Sequence, residues 1–401
     1  MTYPIRTSSR RLGRFAAGLA LVLCLAAPAA AVKPAANPDH LVVVEGQALT
    51  FAPEELLAND VVGDPYVFFL DQLPAHGSLS CAASSCTYVP LPDRYGVDRF
   101  RYGFQSGSEV RVAEVEVWVS PLLTPVAGDW NGDGLTDVGW FHAARLDFHF
   151  SVLSLQGTSL DIEETNCARP PLPAGAEGWI PVVGDWDGDL EDDVALFDPS
   201  TRTFHPFDLK TWELVPSAPF QHPDPGFGGL PVAGDWDAAG GDELGLFLPQ
   251  ANLFRLLAPS THGNQQVGVS FAYTLPSGDW YPLTSKLGTS RGGPDLVAVW
   301  EPAARQVRYR LDHAGGTTLA VDDYDQQGVG LRALPFGGSW GGVETVGLFD
   351  PDQATWESWS GAFRIFPCDF DASSTCGNSG GGHEPILLPI PEDPVVAVCV
   401  N

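Results

Sequence analysis

The chain has 401 residues, with 50 acidic against 21 basic side chains and a formal net charge of −29 at pH 7. So acidic a surface repels nucleic acid and anionic lipid, which excludes polyanions as partners and favours cations. The 44% hydrophobic content supplies enough apolar surface for packed domains and argues against disorder.

The first element reads as an export signal. Arg6, Arg10, Arg11 and Arg14 precede an apolar run over 15–27 and small residues ending in Ala29, Ala30 and Ala31. This is the layout of a secretory signal over residues 1–31, cut after Ala31, and the Arg10-Arg11 pair also fits twin-arginine export. The apolar run is short for a membrane span, and no later stretch approaches 18 uninterrupted apolar residues. The expected location is secreted or extracytoplasmic (periplasm, cell surface or medium), with no membrane insertion after signal removal.

Residues 37–121 come next, as short alternating strands divided by turns, the pattern of a β-sandwich. Leu57-Ala58-Asn59-Asp60, the Pro74-Ala75-His76-Gly77 turn and Tyr95-Gly96-Val97-Asp98-Arg99-Phe100 resemble the bacterial Ig-like, cadherin-like modules of surface proteins. That resemblance implies a spacer or adhesive unit. Asn59, Asp60 and Asp64 offer three oxygen ligands, too few for a calcium shell.

Over 122–401 one phrase returns five times. The Gly of Gly-Asp-Trp stands at 128, 184, 234 and 278, and a Gly-Ser-Trp variant follows at 338, giving steps of 56, 50, 44 and 60 residues. After each comes a hairpin: DVGWFHAARLDFHF, DVALFDPSTRTFHPF, ELGLFLPQANLFRLL, LVAVWEPAARQVRYR and TVGLFDPDQATWESW. With the strand before each motif and the apolar run after each hairpin, a unit holds about four strands, which describes a propeller blade. The predicted fold is all-β, an N-terminal Ig-like β-sandwich followed by a β-propeller of five blades, with six as the alternative. The C-terminal run, with 395–400 in the place of DVALF, closes the first blade or begins a sixth.

The loops after the first two motifs carry ligand-like spacing. DWNGDGLTD places Asp129, Asn131, Asp133 and Asp137 at positions one, three, five and nine, and DWDGDLEDD places Asp185, Asp187, Asp189 and Asp193 in the same phase. Alternate side chains in a tight loop can converge on Ca2+, with the carbonyls of Leu135 and Glu191 completing each set. Position twelve is Trp140 or Leu196 where an EF-hand would need Glu. These loops resemble the calcium-binding FG-GAP repeats of integrin α-subunit propellers over about residues 121–366. The third copy is degenerate, keeping Asp235 and Asp237 with Glu243 at position nine, and the last two copies lack the loop. The plainer reading of all five loops is acidic turns.

Trp130, Trp186, Trp236, Trp280 and Trp340 recur with the motif, so they read as packing wedges between blades before they read as sugar platforms. Ligand contacts are expected from the irregular insertions over 156–178, 216–229, 260–266 and 281–294. Six cysteines follow the signal, an even number suited to disulfides. Six cysteines allow fifteen pairings; Cys81 with Cys86 and Cys368 with Cys376 are candidate local pairs, which would put Cys167 with Cys399.

Catalytic signals are sparse. Cys376-Gly377-Asn378-Ser379-Gly380-Gly381 resembles the nucleophile segment of trypsin-like proteases, without that family's His and Asp segments. His142, His149 and His205 lie in hairpins and read as structural. Glu301, Asp350 and Asp352 are the acids outside the loops that a propeller glycosidase would recruit, and turns explain them equally well. The chain therefore reads as a secreted or surface calcium-binding recognition protein whose loops bind a protein or glycan. The alternative is a secreted carbohydrate-active enzyme, marked by an acidic trio at the propeller axis.

Overall fold

The computed structural model describes residues 33–63, 65–82, 84–92, 94–156, 159–173, 175–186, 188–208, 219–223, 228–238, 240–257, 267–285, 294–309, 320–323, 332–340, 343–350, 355–358, 364–368 and 386–389. It describes the backbone alone at 155, 156, 159–168, 220, 320–323, 340, 343–345 and beyond 350. The signal segment, Asp64, Asp187, Asp352, Cys376 and Cys399 lie outside the described residues, as does 395–400.

The first seven strands form two sheets. They are β1 Asp39–Val44, β2 Leu49–Phe51, β3 Tyr66–Gln72, β4 Gly77–Cys81, β5 Cys86–Pro90, β6 Gly96–Ser106 and β7 Glu109–Ser120. One sheet runs β1-β7-β6-β3, with β1 parallel to β7, and the other runs β2-β5-β4. Their inner faces bury Phe51, Tyr88, Phe100, Tyr102, Phe104, Val115 and Val117. The signature segments meet through Asp98, whose carboxylate accepts the Ala75 and His76 N–H groups, each at 3.1 Å, and the Tyr88 hydroxyl at 2.8 Å. Asp60 accepts the Tyr102 hydroxyl at 2.7 Å, and Asn59 donates to the Pro38 carbonyl at 3.0 Å. These residues tie turns to strands, which explains their presence without a metal. A disulfide joins Cys81 to Cys86 across β4 and β5, as the spacing predicts.

The rest of the chain builds five more sheets. Strands β8 Leu123–Gly128, β9 Asp137–His142, β10 Asp147–Gln156 and β11 Ser159–Ala168 make the first. The second holds β12 Ile180–Gly184, β13 Asp193–Asp198, β14 Thr203–Phe207 and β15 Phe220–Gln221. The third holds β16 Leu230–Gly234, β17 Glu243–Leu248, β18 Leu253–Leu257 and β19 Val267–Ala272. In the fourth are β20 Tyr281–Ser285, β21 Leu296–Glu301, β22 Gln306–Tyr309 and β23 Ala320–Asp323. The fifth contains β24 Leu334–Trp340, β25 Val343–Asp350, β26 Thr355–Ser358, β27 Arg364–Cys368 and β28 Ile386–Pro389.

In every one of these sheets the first strand is an edge. It carries Pro125, Pro181, Pro231, Pro282 or Pro335, paired with Trp140, Leu196, Leu246, Val299 or Leu348. Proline suits an edge strand because a strand with neighbours on both sides would lose a ladder hydrogen bond at its missing N–H. These edge strands touch in sequence: β8 packs on β12, β12 on β16, β16 on β20, β20 on β24, and β24 on β8.

Two expectations change here. Proline register makes Ser285, and not Gly278, the counterpart of Gly128, Gly184, Gly234 and Gly338, so the steps become 56, 50, 51 and 53 residues. The Gly-Asp-Trp at 278–280 therefore lies ahead of the fourth sheet, and Trp280 does not share the phase of Trp130, Trp186 and Trp236. Residues 281–285, expected within a variable insertion, are a buried first strand. The first sheet has four consecutive strands, and the described C-terminal strand β28 pairs parallel with β27 of the fifth sheet and also touches β11 of the first, while the expected closing run over 395–400 lies outside the described residues.

The Ig-like module is fixed against the end of the repeat sheets where the proline-bearing strands begin. Arg94 pairs with Asp279 at 2.7 Å, the Tyr95 hydroxyl donates to the Arg332 carbonyl, and Arg332 pairs with Glu45. A single apolar cluster runs from Phe100 and Trp118 into Ile180, Leu230, Tyr281 and Leu334. A Cβ on Gly178 would lie 2.5 Å from Val42, and one on Gly228 would lie 2.6 Å from the Glu116 carboxylate. The ends of the 156–178 and 216–229 insertions thus dock on the module.

Candidate functional site

The repeated motif is first of all a joint between sheets. The Asp129 N–H donates to the Asp192 carboxylate at 2.7 Å, and the Asp192 N–H donates back to the Asp129 carbonyl at 2.8 Å. The same reciprocal pair links Asp185 with Asp242, at 3.1 and 2.8 Å, and Asp235 with Asp295, at 2.9 Å both ways. Glycine precedes each joint because nothing else fits: a Cβ on Gly184 would lie 2.7 Å from the Asp242 carboxylate and 2.8 Å from the Trp186 ring. Between the fifth and first sheets the partners are neutral, with Ser339 N–H to Thr136 Oγ1 at 2.8 Å and Thr136 N–H to Ser339 carbonyl at 3.0 Å. Trp130 shares an apolar cluster with Phe148 and Phe150 of its own sheet and Val194 and Leu196 of the next, the expected wedge.

The loop acids are largely occupied by their own backbone. Asp129 accepts the N–H groups of Asp133 at 3.0 Å and Gly134 at 2.7 Å, while Asn131 accepts that of Asp133 at 3.1 Å. Asp133 accepts the Leu135 N–H at 2.8 Å. Asp137 is fully buried and holds two N–H groups, Trp130 at 3.1 Å and Leu153 at 2.6 Å. Burial, with the charges of Asp133 and Asp129 adding, pushes its carboxyl up to about 7. In the second loop Asp185 accepts the N–H groups of Gly188, Asp189 and Leu190 at 2.6, 3.2 and 3.1 Å, and Asp189 accepts that of Glu191 at 3.0 Å. Asp193 is buried at the start of β13.

The third loop, degenerate in sequence, is the one drawn together. Asp235, Asp237 and Glu243 place ligand oxygens within 4.8 Å of one another, and they are the only such acidic trio among the described residues. Glu243 also accepts the Trp236 N–H at 3.1 Å, and burial pushes its carboxyl up to about 7. The sequence already offers this trio as the degenerate third copy, with Glu243 at position nine and no ligand side chain at position five.

A cavity of about 460 Å3 lies between the five first strands, lined by residues of all five sheets. Asp192, Asp242 and Asp295 reach it from three successive sheets, and the five prolines also line it. Beyond the prolines a smaller space of about 130 Å3 is bounded by Trp118, Ser120 and Pro121, so the Ig-like module forms the floor. Burial pushes Asp192 up to about 7, with the charge of Asp129 adding. Burial and then the charges of Asp192 and Asp295 hold Asp242 well above the usual carboxylate range.

The acids proposed for catalysis outside the loops sit elsewhere. Glu301 is buried and accepts the Ala304 N–H in a hairpin turn. At the matching position of the second sheet, Asp198 accepts the Ser200 N–H at 2.9 Å and the Thr201 hydroxyl at 2.7 Å. Asp350 is likewise buried. His149 stacks on Trp140 at 3.6 Å and His205 on Trp179 at 4.5 Å, both packing roles.

No helix among the described residues is long and apolar enough to cross a membrane. No curated protein matches the chain. Among solved structures it is similar to an exotype rhamnogalacturonan lyase, YesX, over 80% of this chain and 73% of that one, at 12% identity and a TM-score of 0.25. A DUF4784 family protein from Bacteroides caccae ATCC 43185 is similar over 80% of this chain and 93% of that one, at 10% identity and a TM-score of 0.22. Likeness at these scores carries no argument about this chain. Residues 31–118 match the family described as bacterial Ig domain, and the N-terminal module is accordingly a bacterial Ig-like domain.

Proposed function

We propose that the chain is an extracytoplasmic recognition protein in which a bacterial Ig-like domain carries a five-bladed β-propeller of the FG-GAP kind. Its acidic loops hold Ca2+ and its variable edges bind a protein or glycan. The observation that carries this reading is the succession of first-strand contacts, β8 to β12, β16, β20, β24 and back to β8, around one cavity. Metal in the loops would hold turns rigid and perform no chemistry. Asp129, Asn131, Asp133, Asp137 and the Leu135 carbonyl would serve the first loop. Asp185, Asp187, Asp189, Asp193 and the Glu191 carbonyl would serve the second. The gathered trio Asp235, Asp237 and Glu243 supports a third.

The test is a thermal melt of the mature protein in EGTA and in millimolar calcium. Calcium at a hundred times its Kd raises stability by about 2.7 kcal/mol. An Asp133→Ala, Asp189→Ala variant is expected to lose most of that gain, and Asp237→Ala the remainder. An unchanged melting temperature would reduce the loops to acidic turns.

A second reading, a secreted carbohydrate-active enzyme, draws on the three carboxylates in the cavity. Release of reducing ends from a glycan, lost in Asp192→Asn, would favour it over recognition.

A further inference from the structure

The central cavity holds chemistry that the calcium loops do not use. Asp192 and Asp242 each give one carboxylate oxygen to the main-chain N–H of the preceding sheet. Both line the same space as Asp295. Gathering like charges away from bulk water is costly unless a cation joins them. A separate observation comes from Ser285, also on the cavity wall. It is 6% exposed, and its hydroxyl has no hydrogen-bond partner among the described residues. A buried hydroxyl left unpaired costs free energy that a bound donor or acceptor would recover.

We propose that this cavity binds a small organic cation, an alkylammonium group seated among Asp192, Asp242, Asp295 and the Ser285 hydroxyl, with its carbon chain directed toward the prolines. A single metal ion fits less well. The three carboxylates are not drawn within 4.8 Å of one another, unlike Asp235, Asp237 and Glu243. The space, about 460 Å3, is also far larger than an ion. An ammonium offers three diverging donors that suit separated acceptors, and a chain of several carbons suits Pro125, Pro181 and Pro231 below. The site is distinct from the loop edges proposed for recognition, and Asp129 of the first loop meets it through its bond to Asp192, so the test is made without calcium.

Calorimetric titration of the full mature chain in EGTA would test this, with 1,4-diaminobutane as probe and 1,4-butanediol as its neutral match. Nα-acetyl-lysine methylamide distinguishes a lysine side chain of a partner from a free amine, and binding of either amine supports the site. The expected result is binding of the diamine without binding of the diol, weakened about tenfold or more in Asp242→Asn and severalfold in Ser285→Ala. Asparagine keeps an acceptor for the Asp185 N–H, and if that variant does not fold, Ser285→Ala still decides. No amine binding to the wild type would overturn the proposal. So would binding that appears only after Lys286→Ala or Arg291→Ala, since the chain would then supply its own cation. Binding unaffected by both cavity variants, or replaced by calcium at the same residues, would overturn it equally.

Discussion

The joints between the first four repeat sheets and the joint between the fifth and the first do the same work with different chemistry. Three consecutive joints pair an aspartate carboxylate with the main-chain N–H of Asp129, Asp185 or Asp235, whereas the last pairs Thr136 with Ser339. Both geometries satisfy buried backbone groups at sheet ends, where no ladder partner exists. The difference is charge: the acidic joints concentrate negative potential on one arc of the cavity and leave the opposite arc neutral. A motif that recurs for structural reasons therefore also creates an asymmetric binding environment.

The strongest way to break the comparison is steric. Gly184→Val sets a side chain against Asp242 and Trp186 and should cost about 3 kcal/mol. Ser285→Gly, at the equivalent place in the fourth sheet, should leave the melting temperature within a few degrees. Differential scanning calorimetry of the two variants makes the test, and equal losses would show that the joint is not what excludes a side chain. Next in size, Asp242→Ala leaves a buried N–H unsatisfied and should cost about 1–3 kcal/mol by urea denaturation. Thr136→Val, removing one neutral hydrogen bond, should cost about 1 kcal/mol.

The acidic joints should also respond to pH. Asp192 is held up to about 7 in the folded chain against an ordinary carboxylate value of 3.8, so ionising it works against folding. Its contribution is fully present below pH 4 and is lost as pH rises through 7. Melting in EGTA should show this decline over pH 4 to 7, and Asp192→Asn should flatten it by a few degrees. Thr136→Val should leave the slope unchanged. The smallest effect is expected at the module interface, where Arg94→Ala removes a partly exposed ion pair with Asp279 and should cost less than about 1 kcal/mol by the same melt.

Much of this organisation is legible along the chain. The five hairpins, the Ig-like segment and the Cys81–Cys86 bond follow from alternation, turn residues and spacing. The fourth repeat misleads, because an intact Gly-Asp-Trp at 278–280 draws the eye while the true register runs through Pro282. Proline three residues before the glycine of the joint, as at Pro125 and Gly128 or Pro181 and Gly184, is the better signal, since edge position constrains it physically. Asp192 and Asp242 were passed over as loop acids beside the supposed ligands Asp193 and Glu243. Each lies one residue ahead of its strand, β13 or β17, and local pattern does not say which loop side chains meet the cavity.

The sequence by itself determined the strand pattern, the repeat, the acidity and the local disulfide, because each depends on neighbours within a few residues. Only the tertiary structure decided which acids converge, that the Ig-like domain floors the cavity, and that Ser285 stands where glycine stands in the other repeat sheets. Those facts depend on contacts between residues 50 or more positions apart, as between Asp129 and Asp192 or Asp185 and Asp242, where side chains meet through the packing of whole sheets and local pattern carries no information.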